Sequence, residues 1–583
     1  MLKRIVVIIL VMFSLPFIIG VGDPMPKADF VYVEDAEYNS RDPQRMTYLA
    51  DIRLARRLFE TLVDLDFNDL SRNPGAAERW DVSEDGRTYT FYIREDAYWS
   101  NGDRLTSHDY IYAWRRAIIP DTASGYAFFL FVIDGAHEFY SFREAQLEAY
   151  VKQTAETGGS DEAARRLWEE AIEKFDEMVK VRAIDDKTLE VTIKQRTEYF
   201  LDLVAFATYM PVHAASVEVG VSYNAETGTR LDDPTYWNNP KRLISNGPYV
   251  LTKRKFRQYS YLTANPNYWN RDALKNQSVM ARIISDDMAM QMAYNQGVVD
   301  YVPLISTGMA HDLVAQDRDD VHVVPLAGTY IYNFNCNPKL NNGQPNPLAD
   351  WRVRRALSAA IDRKQLGEMV TRLNEPPAYS FVPPGSCAGY EPPVEASTGF
   401  DPQVARDLMA EAGFADGSKI TGLSILYNTG SGHERIAQAV KNTWKEHLGV
   451  IVTLEGVESK ISSQRSRSQD YTIRRAGWYG DYADPTSWLD IRSSEDENNT
   501  TKWSNLEYDA LLVKAATTGD PSQRMLLLRE AEAIMLKECP QAVIFHYVGV
   551  SMFDPDRVKG LELNAWTRDR FEQVDAVDRG KIK

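Results

Sequence analysis

This sequence predicts an α/β protein built from several domains, and three observations carry the prediction. A chain of 583 residues is too long for one hydrophobic core, and ordinary domain sizes suggest roughly three to four units. Its second half places a strand at 423–427, a helix at 434–448 with Ile436, Val440, Trp444 and Leu448 on one face, and a strand at 450–454. Strand, helix, strand in that order marks a parallel α/β unit. The first half instead carries short stretches of strand alternation bounded by turn residues.

At the N-terminus, Lys3 and Arg4 precede an almost unbroken apolar run over 5–19, followed by Gly20-Val21-Gly22 and a polar stretch. A positive start, a short apolar core and small residues at the junction describe an export signal, with cleavage near residue 22. An uncleaved anchor is the competing reading, because the run is near the lower limit for a membrane span. No cysteine lies there for lipid attachment.

Residues 30–33 read as a strand, and 46–63 as a helix with Leu49, Ile52, Leu54, Leu58, Phe59 and Leu62 on its apolar positions. Trp80 to Gly86 reads as a turn, its Asp85-Gly86 pair supplying a positive backbone angle before a strand at 89–93. Ser107 or Asp109 is placed to cap a helix through 110–114 that stops near Pro120. Residues 141–180 are rich in Glu, Lys, Ala and Arg, and Gly158-Gly159-Ser160 divides them into a surface helical hairpin. Strand alternation returns at 188–193. Asn246-Gly247-Pro248 turns into a further strand, alternation recurs at 259–263, and Asn265-Pro266 makes the next turn. An amphipathic helix over 350–369, a proline-rich loop over 375–393 and a helix from Pro402 lead to the α/β unit. Gly413 is placed for a left-handed cap at the end of that last helix.

Composition excludes some functions. A formal charge of −17 suits solubility and not nucleic-acid binding, which needs clustered cations. Cys336, Cys387 and Cys539 have no metal spacing, and an odd number allows at most one internal bridge. None of the eight His stand at metal-ligand spacing from one another, and no nucleophile elbow or phosphate-binding glycine loop occurs. Gly430-Ser431-Gly432-His433 places a hydroxyl beside a base, but sequence neighbours seldom make productive contact. With 83 Asp and Glu, counting leaves a glycosidase carboxylate pair open, while no metal or cofactor is expected.

One segment points to a ligand. Arg475 and Asp481 stand six residues apart among Trp478, Tyr479, Tyr482 and Trp488. A peptide is a zwitterion with a variable, often greasy middle. It needs a carboxylate for its amine, a cation for its carboxylate and apolar walls between. The plainer reading is a solvated loop, or a salt bridge between Asp481 and a neighbour such as Arg474.

Several separated motifs carry a family resemblance. They are 58–63 (Leu-Phe-Glu-Thr-Leu-Val), 80–91 (Trp-Asp-Val-Ser-Glu-Asp-Gly-Arg-Thr-Tyr-Thr-Phe), 99–106 (Trp-Ser-Asn-Gly-Asp-Arg-Leu-Thr), 246–249, 265–269, 351–357 and 360–363. Their order and content, over about 30–555, resemble the family 5 solute-binding proteins of ABC importers, most closely the oligopeptide binders. The resemblance implies an α/β, two-lobed periplasmic-binding-protein fold of type II, with an extra small domain and a ligand cleft between lobes. It implies a discontinuous lobe I at about 23–69, 225–324 and 546–583, a small domain at about 70–224, and lobe II at about 325–545.

It also implies roles. Asp481, in Trp-x-x-Asp-Tyr, matches the aspartate that pairs with a peptide's amine; Arg475 and His433 match residues that take its carboxylate. Trp478 and Tyr126 match aromatics of the cleft, and Ala476, Gly477 and Trp478 would contact the peptide backbone through their main chain. Arg465 and Arg467 lie near a further family cation but at an imperfect spacing. The function implied is a non-enzymatic, monomeric periplasmic receptor. It captures short peptides and delivers them to the permease and ATPase subunits of an importer. The alternatives are an oligosaccharide or metal-chelate binder on the same fold, an envelope hydrolase and a peptide sensor. The charged stretch over 141–180 is longer than the family pattern, and the sequence assigns it no role.

Overall fold

The computed structural model describes residues 25–67, 70–341, 343–496, 498–566 and 571–576. The export signal expected at 1–22 lies outside them. Among the described residues no helix is long and apolar enough to cross a membrane.

Strand β1 (Phe30–Glu34) is buried along its whole length, as a strand covered on both faces must be. Phe30 and Tyr32 enter one apolar cluster and Val31 and Val33 another, following the two-residue period of a strand. Helix α1 (Leu49–Leu58) is shorter than the apolar pattern over 46–63 implies. Phe59 takes extended dihedrals, and Val63 already begins a strand.

A small antiparallel sheet follows. Strands β2 (Ala77–Val82) and β3 (Thr88–Ile93) form a hairpin. The first turn residues expected, Trp80 to Val82, therefore belong to a strand, and Gly86 supplies the positive φ of 70°. Helix α2 (Ser107–Ile118) starts at neither expected cap. Thr106 is the cap residue, and Asp109 completes a reciprocal box by accepting from the Thr106 N–H at 2.9 Å.

The expected hairpin is α3 (Ala136–Thr157) and α4 (Asp161–Met178), with the Ser160 hydroxyl accepting from Ala163 N–H at 3.1 Å. Arg143, fully buried on α3, pairs with Asp121 at 2.8 Å and ties the hairpin to the domain beneath it. Strands β4 (Val181–Asp185) and β5 (Thr188–Thr192) complete the sheet in the order β2-β3-β5-β4.

The larger sheet takes up β6 (Tyr249–Lys255), β7 (Tyr259–Ala264), β8 (Ser278–Ile283), β9 (Tyr301–Val302) and the long β10 (Val321–Phe334). Helix α5 (Trp351–Ala359) ends early, so the helix expected over 350–369 is broken; Asp362 caps a fresh turn, accepting from Gln365 N–H at 3.0 Å. Helix α6 (Pro402–Glu411) stops before Gly413, whose φ is 86°. The α/β unit is β11 (Ser424–Asn428), α7 (His433–Leu448) and β12 (Thr453–Val457), with β11 and β12 parallel. Strand β13 (Ile473–Tyr479), helix α8 (Pro521–Glu538) and the long β14 (Gln541–Phe553) complete the elements used below.

Ten strands run in the order β6-β7-β8-β1-β9-β14-β10-β13-β11-β12. The first five belong to one lobe and the last three to the other, while β14 and β10 pass through both. Two cores flank the second lobe, one with Ile425, Val440 and Trp444, the other with Trp488, Leu528 and Met535. The paired long strands are irregular where they cross. Pro325 faces Val548, yet the next partners are Thr329 and His546, so 326–328 bulge from β10. A bulge bends its strand and raises the local twist. The result is the two-lobed α/β architecture that the resemblance implies.

Candidate functional site

The site is built where β13 leaves the sheet. Strand β11 pairs with β13 only through Ile425–Ile473 and Leu426–Arg474. On its other side β13 stays paired with β10 through to Tyr479–Gly328. From 475 to 479, therefore, β13 has an edge with no partner strand among the described residues. Such an edge presents main-chain donors and acceptors ready to take another strand.

Side chains alternate along that edge. Arg475, Gly477 and Tyr479 share a face with Tyr332, Tyr330 and Gly328 directly opposite. The Arg475 guanidinium donates to Tyr547 Oη at 2.7 Å and to Asn428 Oδ1 at 3.2 Å, and lies 4.6 Å over the Tyr330 ring. No carboxylate among the described residues forms an ion pair with it, and its Nε is buried without a partner. His433, the first residue of α7, is buried beside it, with Nδ1 3.3 Å from Tyr330 Oη. Burial first, and then the charge of Arg475, push His433 down to about 3. At neutral pH this ring is uncharged, so any part it takes in anion binding is that of a neutral donor.

Gly477 is small for a visible reason: a Cβ there would meet Tyr547 Oη at 2.2 Å. The other face holds Arg474, Ala476 and Trp478. Arg474 donates to Ser462 at 3.3 Å and does not pair with Asp481. Ala476 and Trp478 pack with the core around Trp488, and the Trp478 indole N–H donates to Ser487 O at 2.7 Å. Trp478 thus lies under the turn that follows β13. Arg465 is engaged elsewhere, by Glu455 at 2.8 Å and Asp470 at 2.9 Å.

Beyond Tyr479 the chain turns sharply. Gly480 N–H donates to Ala327 O at 2.9 Å, and Asp481 N–H donates to Ser487 Oγ at 2.8 Å. Gly480 has no room for a side chain, since a Cβ would come within 2.2 Å of Trp488 and 2.7 Å of Trp566. The half-buried Asp481 carboxylate forms no ion pair with any described residue, and burial pushes its carboxyl up to about 6. A carboxylate held this way gains from a cation brought to it. Tyr126 is close enough for that carboxylate to matter: burial, and then Asp481, raise its phenol to about 12.

Asp481 and Tyr126 line a cavity of about 470 Å³ between the lobes, with Phe206, Leu304, Leu326 and Trp566 among its other walls. Arg475, His433, Trp478, Ala476 and Gly477 do not line it. They sit along or under the β13 edge that leads to it.

The same cavity is flanked by two bridges. Tyr482, next to Asp481, stacks on Tyr199 of the small domain at 4.5 Å and 14°, and meets Phe129 edge-on at 6.0 Å. On the other side, 564–566 cross between lobes. Asn564 donates to Phe67 O at 2.9 Å, Ala565 O accepts from Ala327 N–H at 2.8 Å, and the Trp566 indole donates to Ser386 O at 3.2 Å. Tyr547, Asn428, Phe206 and Trp566 come from distant segments with no local motif. Only Tyr482 carries a sequence signal, its place beside Asp481. Among the described residues no group of three or more His, Cys, Asp or Glu is arranged to hold a metal ion, and the three cysteines are free thiols.

The model of the bacterial extracellular solute-binding proteins, family 5, matches residues 72–500. The oligopeptide-binding protein OppA of Bacillus subtilis is 32% identical over 517 residues, which span 87% of this chain and 85% of that protein. In three dimensions the chain is similar to the unliganded open form of the periplasmic murein tripeptide-binding protein MppA. The TM-score is 0.76 at 28% identity, covering 97% of this chain and all of the other. It is also similar to Haemophilus influenzae OppA in complex with the peptide RPPGFSPFR, with a TM-score of 0.69 at 25% identity, covering 95% and 100%.

Proposed function

The chain belongs to the bacterial extracellular solute-binding proteins of family 5, and from that premise we propose that it works as a peptide receptor of an ABC importer. One observation carries the reading to this chain's own residues. Among the described residues a cation at one end of an open β edge and a carboxylate just past its other end have no ion-pair partner. An extended peptide offers the complement, with an amine at one end, a carboxylate at the other and main-chain bonds between.

Asp481 takes the amine. Arg475 takes the carboxylate of short peptides through the parallel donors of its guanidinium, assisted by the neutral His433. The main chain of Ala476, Gly477 and Trp478 supplies the strand-like contacts, and Tyr126 closes over the amine end. From Arg475 to Tyr479 is about 13 Å at ~3.3 Å per strand residue, the reach of a peptide of roughly four or five residues.

The reading divides the chain into lobe I at about 23–69, 225–324 and 546–583, a small domain at about 70–224 and lobe II at about 325–545. It makes the protein an exported monomer of the periplasm that meets a permease and ATPase only when closed over ligand. It performs no catalysis. Ligand that touches both lobes favours closure because it binds the closed state better.

The test is calorimetry and thermal unfolding of the purified protein, unfolded and refolded to strip carried-over ligand. Free tri- to hexapeptides are expected to bind and raise Tm, as any ligand of the folded state does. N-acetylation and Asp481→Ala should each abolish binding, and C-terminal amidation should most weaken peptides of roughly four to five residues, whose carboxylate ends nearest Arg475. Binding indifferent to acetylation would reject the amine role, and failure of all free peptides would reject the peptide reading itself.

A further inference from the structure

We propose that this receptor selects peptides whose first residue carries a large apolar side chain. The inference rests on the peptide reading above and deepens it. A captured amine is one bond from its own Cα, so the first side chain must go wherever space adjoins Asp481. The space that adjoins Asp481 is the interlobe cavity, since Asp481 is itself one of its lining residues.

That wall is apolar where it matters. Leu304, Leu326, Phe206, Tyr126 and Trp566 contribute from both lobes, the small domain and the crossing segment. Leu304 is 49% exposed and Leu49, also on the wall, is 39% exposed. Apolar side chains that line a cavity gain when a ligand covers them. A volume of about 470 Å³ admits a leucine or an aromatic ring without repacking.

Charged first residues have no place there. Among the described wall residues Asp481 is the only acid, and the ligand's amine already uses it. Arg53 on the wall is neutralised by Glu34 at 2.8 Å, and Arg56 is also engaged within the protein. A lysine or arginine at the first position would lose water without gaining a partner. A glutamate would stand beside Asp481.

The experiment is calorimetry on stripped protein with X-Ala-Ala, where X is Gly, Ser, Leu, Phe, Lys or Glu, each with and without N-acetylation. Leu and Phe are expected to bind at least ~30-fold tighter than Gly, the scale of burying one such side chain. Leu304→Asp changes an exposed wall residue, and Tm at fixed pH checks that the variant folds. It should pull the Leu-to-Gly ratio down to within ~3-fold, and Phe206→Ala should lower the same ratio part of the way. A flat series, or one led by Lys or Glu, with acetylation still abolishing binding, would overturn the selectivity and leave amine capture standing. A series in which acetylated and free peptides bind alike would overturn both.

Discussion

Among the described residues Asp481 and Arg475 have no counter-ion, and Asp481 makes ligand capture sensitive to pH. The Asp481 carboxyl titrates near 6, raised by burial from an ordinary value of 3.8. At this site the folded, ligand-free protein therefore holds a proton between those values that the unfolded chain has lost. The contribution of Asp481 to stability falls as pH rises from about 4 to about 6. Asp481→Asn removes that slope, and at pH 8 the empty variant should be more stable than the parent by on the order of 1 kcal/mol. At pH 3 to 4 the two should converge, and urea titrations at both pH values check it. Peptide pairing lowers the Asp481 value, so affinity should weaken about tenfold per pH unit below about 6. His433 contributes with the opposite sign, because burial holds it uncharged down to about 3, so its share of stability rises with pH up to its unfolded value; the Asp481→Asn comparison cancels that share. Both charges were legible in the sequence through their spacing and their aromatic neighbours. Tyr547 and Asn428, which hold Arg475 in place, were not, because they arrive from other strands and nothing at their own positions marks them.

At the level of elements, the sequence showed the α/β unit through the apolar face of its helix and the stop at Gly449, and the helical hairpin through its composition and the break at Gly158-Gly159. Boundaries slipped where a cap or a tertiary contact overrode periodicity, as at Thr106 and at the break before Asp362. The bulge over 326–328 carried a signal that periodicity passes over, Pro325 and Gly328 inside an otherwise apolar strand. Its geometry is strict. Gly328 faces Tyr479, and a Cβ there would approach the ring to 2.5 Å. Gly328→Val should push Tyr479 away from its stack on Tyr547, now 4.7 Å between centroids. The expected cost is about 1–3 kcal/mol of stability together with weaker peptide binding. Thermal unfolding and calorimetry of one preparation measure both, and a variant equal to the parent in both would remove the bulge from the account.

For the molecule as a whole, the two lobes meet in more than the β10–β14 pair. Tyr482 extends from one lobe and packs against the core shared by the other lobe and the small domain. Arg196 donates to Gly519 O at 3.2 Å further along the same seam. An aromatic stack contributes ~0.5–1.5 kcal/mol beyond its buried area, enough to shift a two-state balance several-fold. Tyr482→Ala should therefore enlarge the radius of gyration of the empty protein in X-ray scattering and weaken peptide binding by about tenfold. Faster release should account for most of that loss. An unchanged scattering profile with unchanged affinity would show that the seam does not hold the lobes.

The unfinished edge of β13 has a cost that the fold contains. A row of unpaired main-chain groups is the surface on which unrelated chains assemble into aggregates. Here it opens beside the passage between two lobes, under the rings of Tyr479 and Tyr547. A thin extended fragment fits such a recessed edge better than a folded protein or a second copy of the chain would. The receptor thus keeps a sticky strand in a crowded compartment by admitting only guests of strand width. Peptides methylated on alternate backbone nitrogens have that width and the same charged ends, and their exclusion would show that main-chain pairing sets the entry rule.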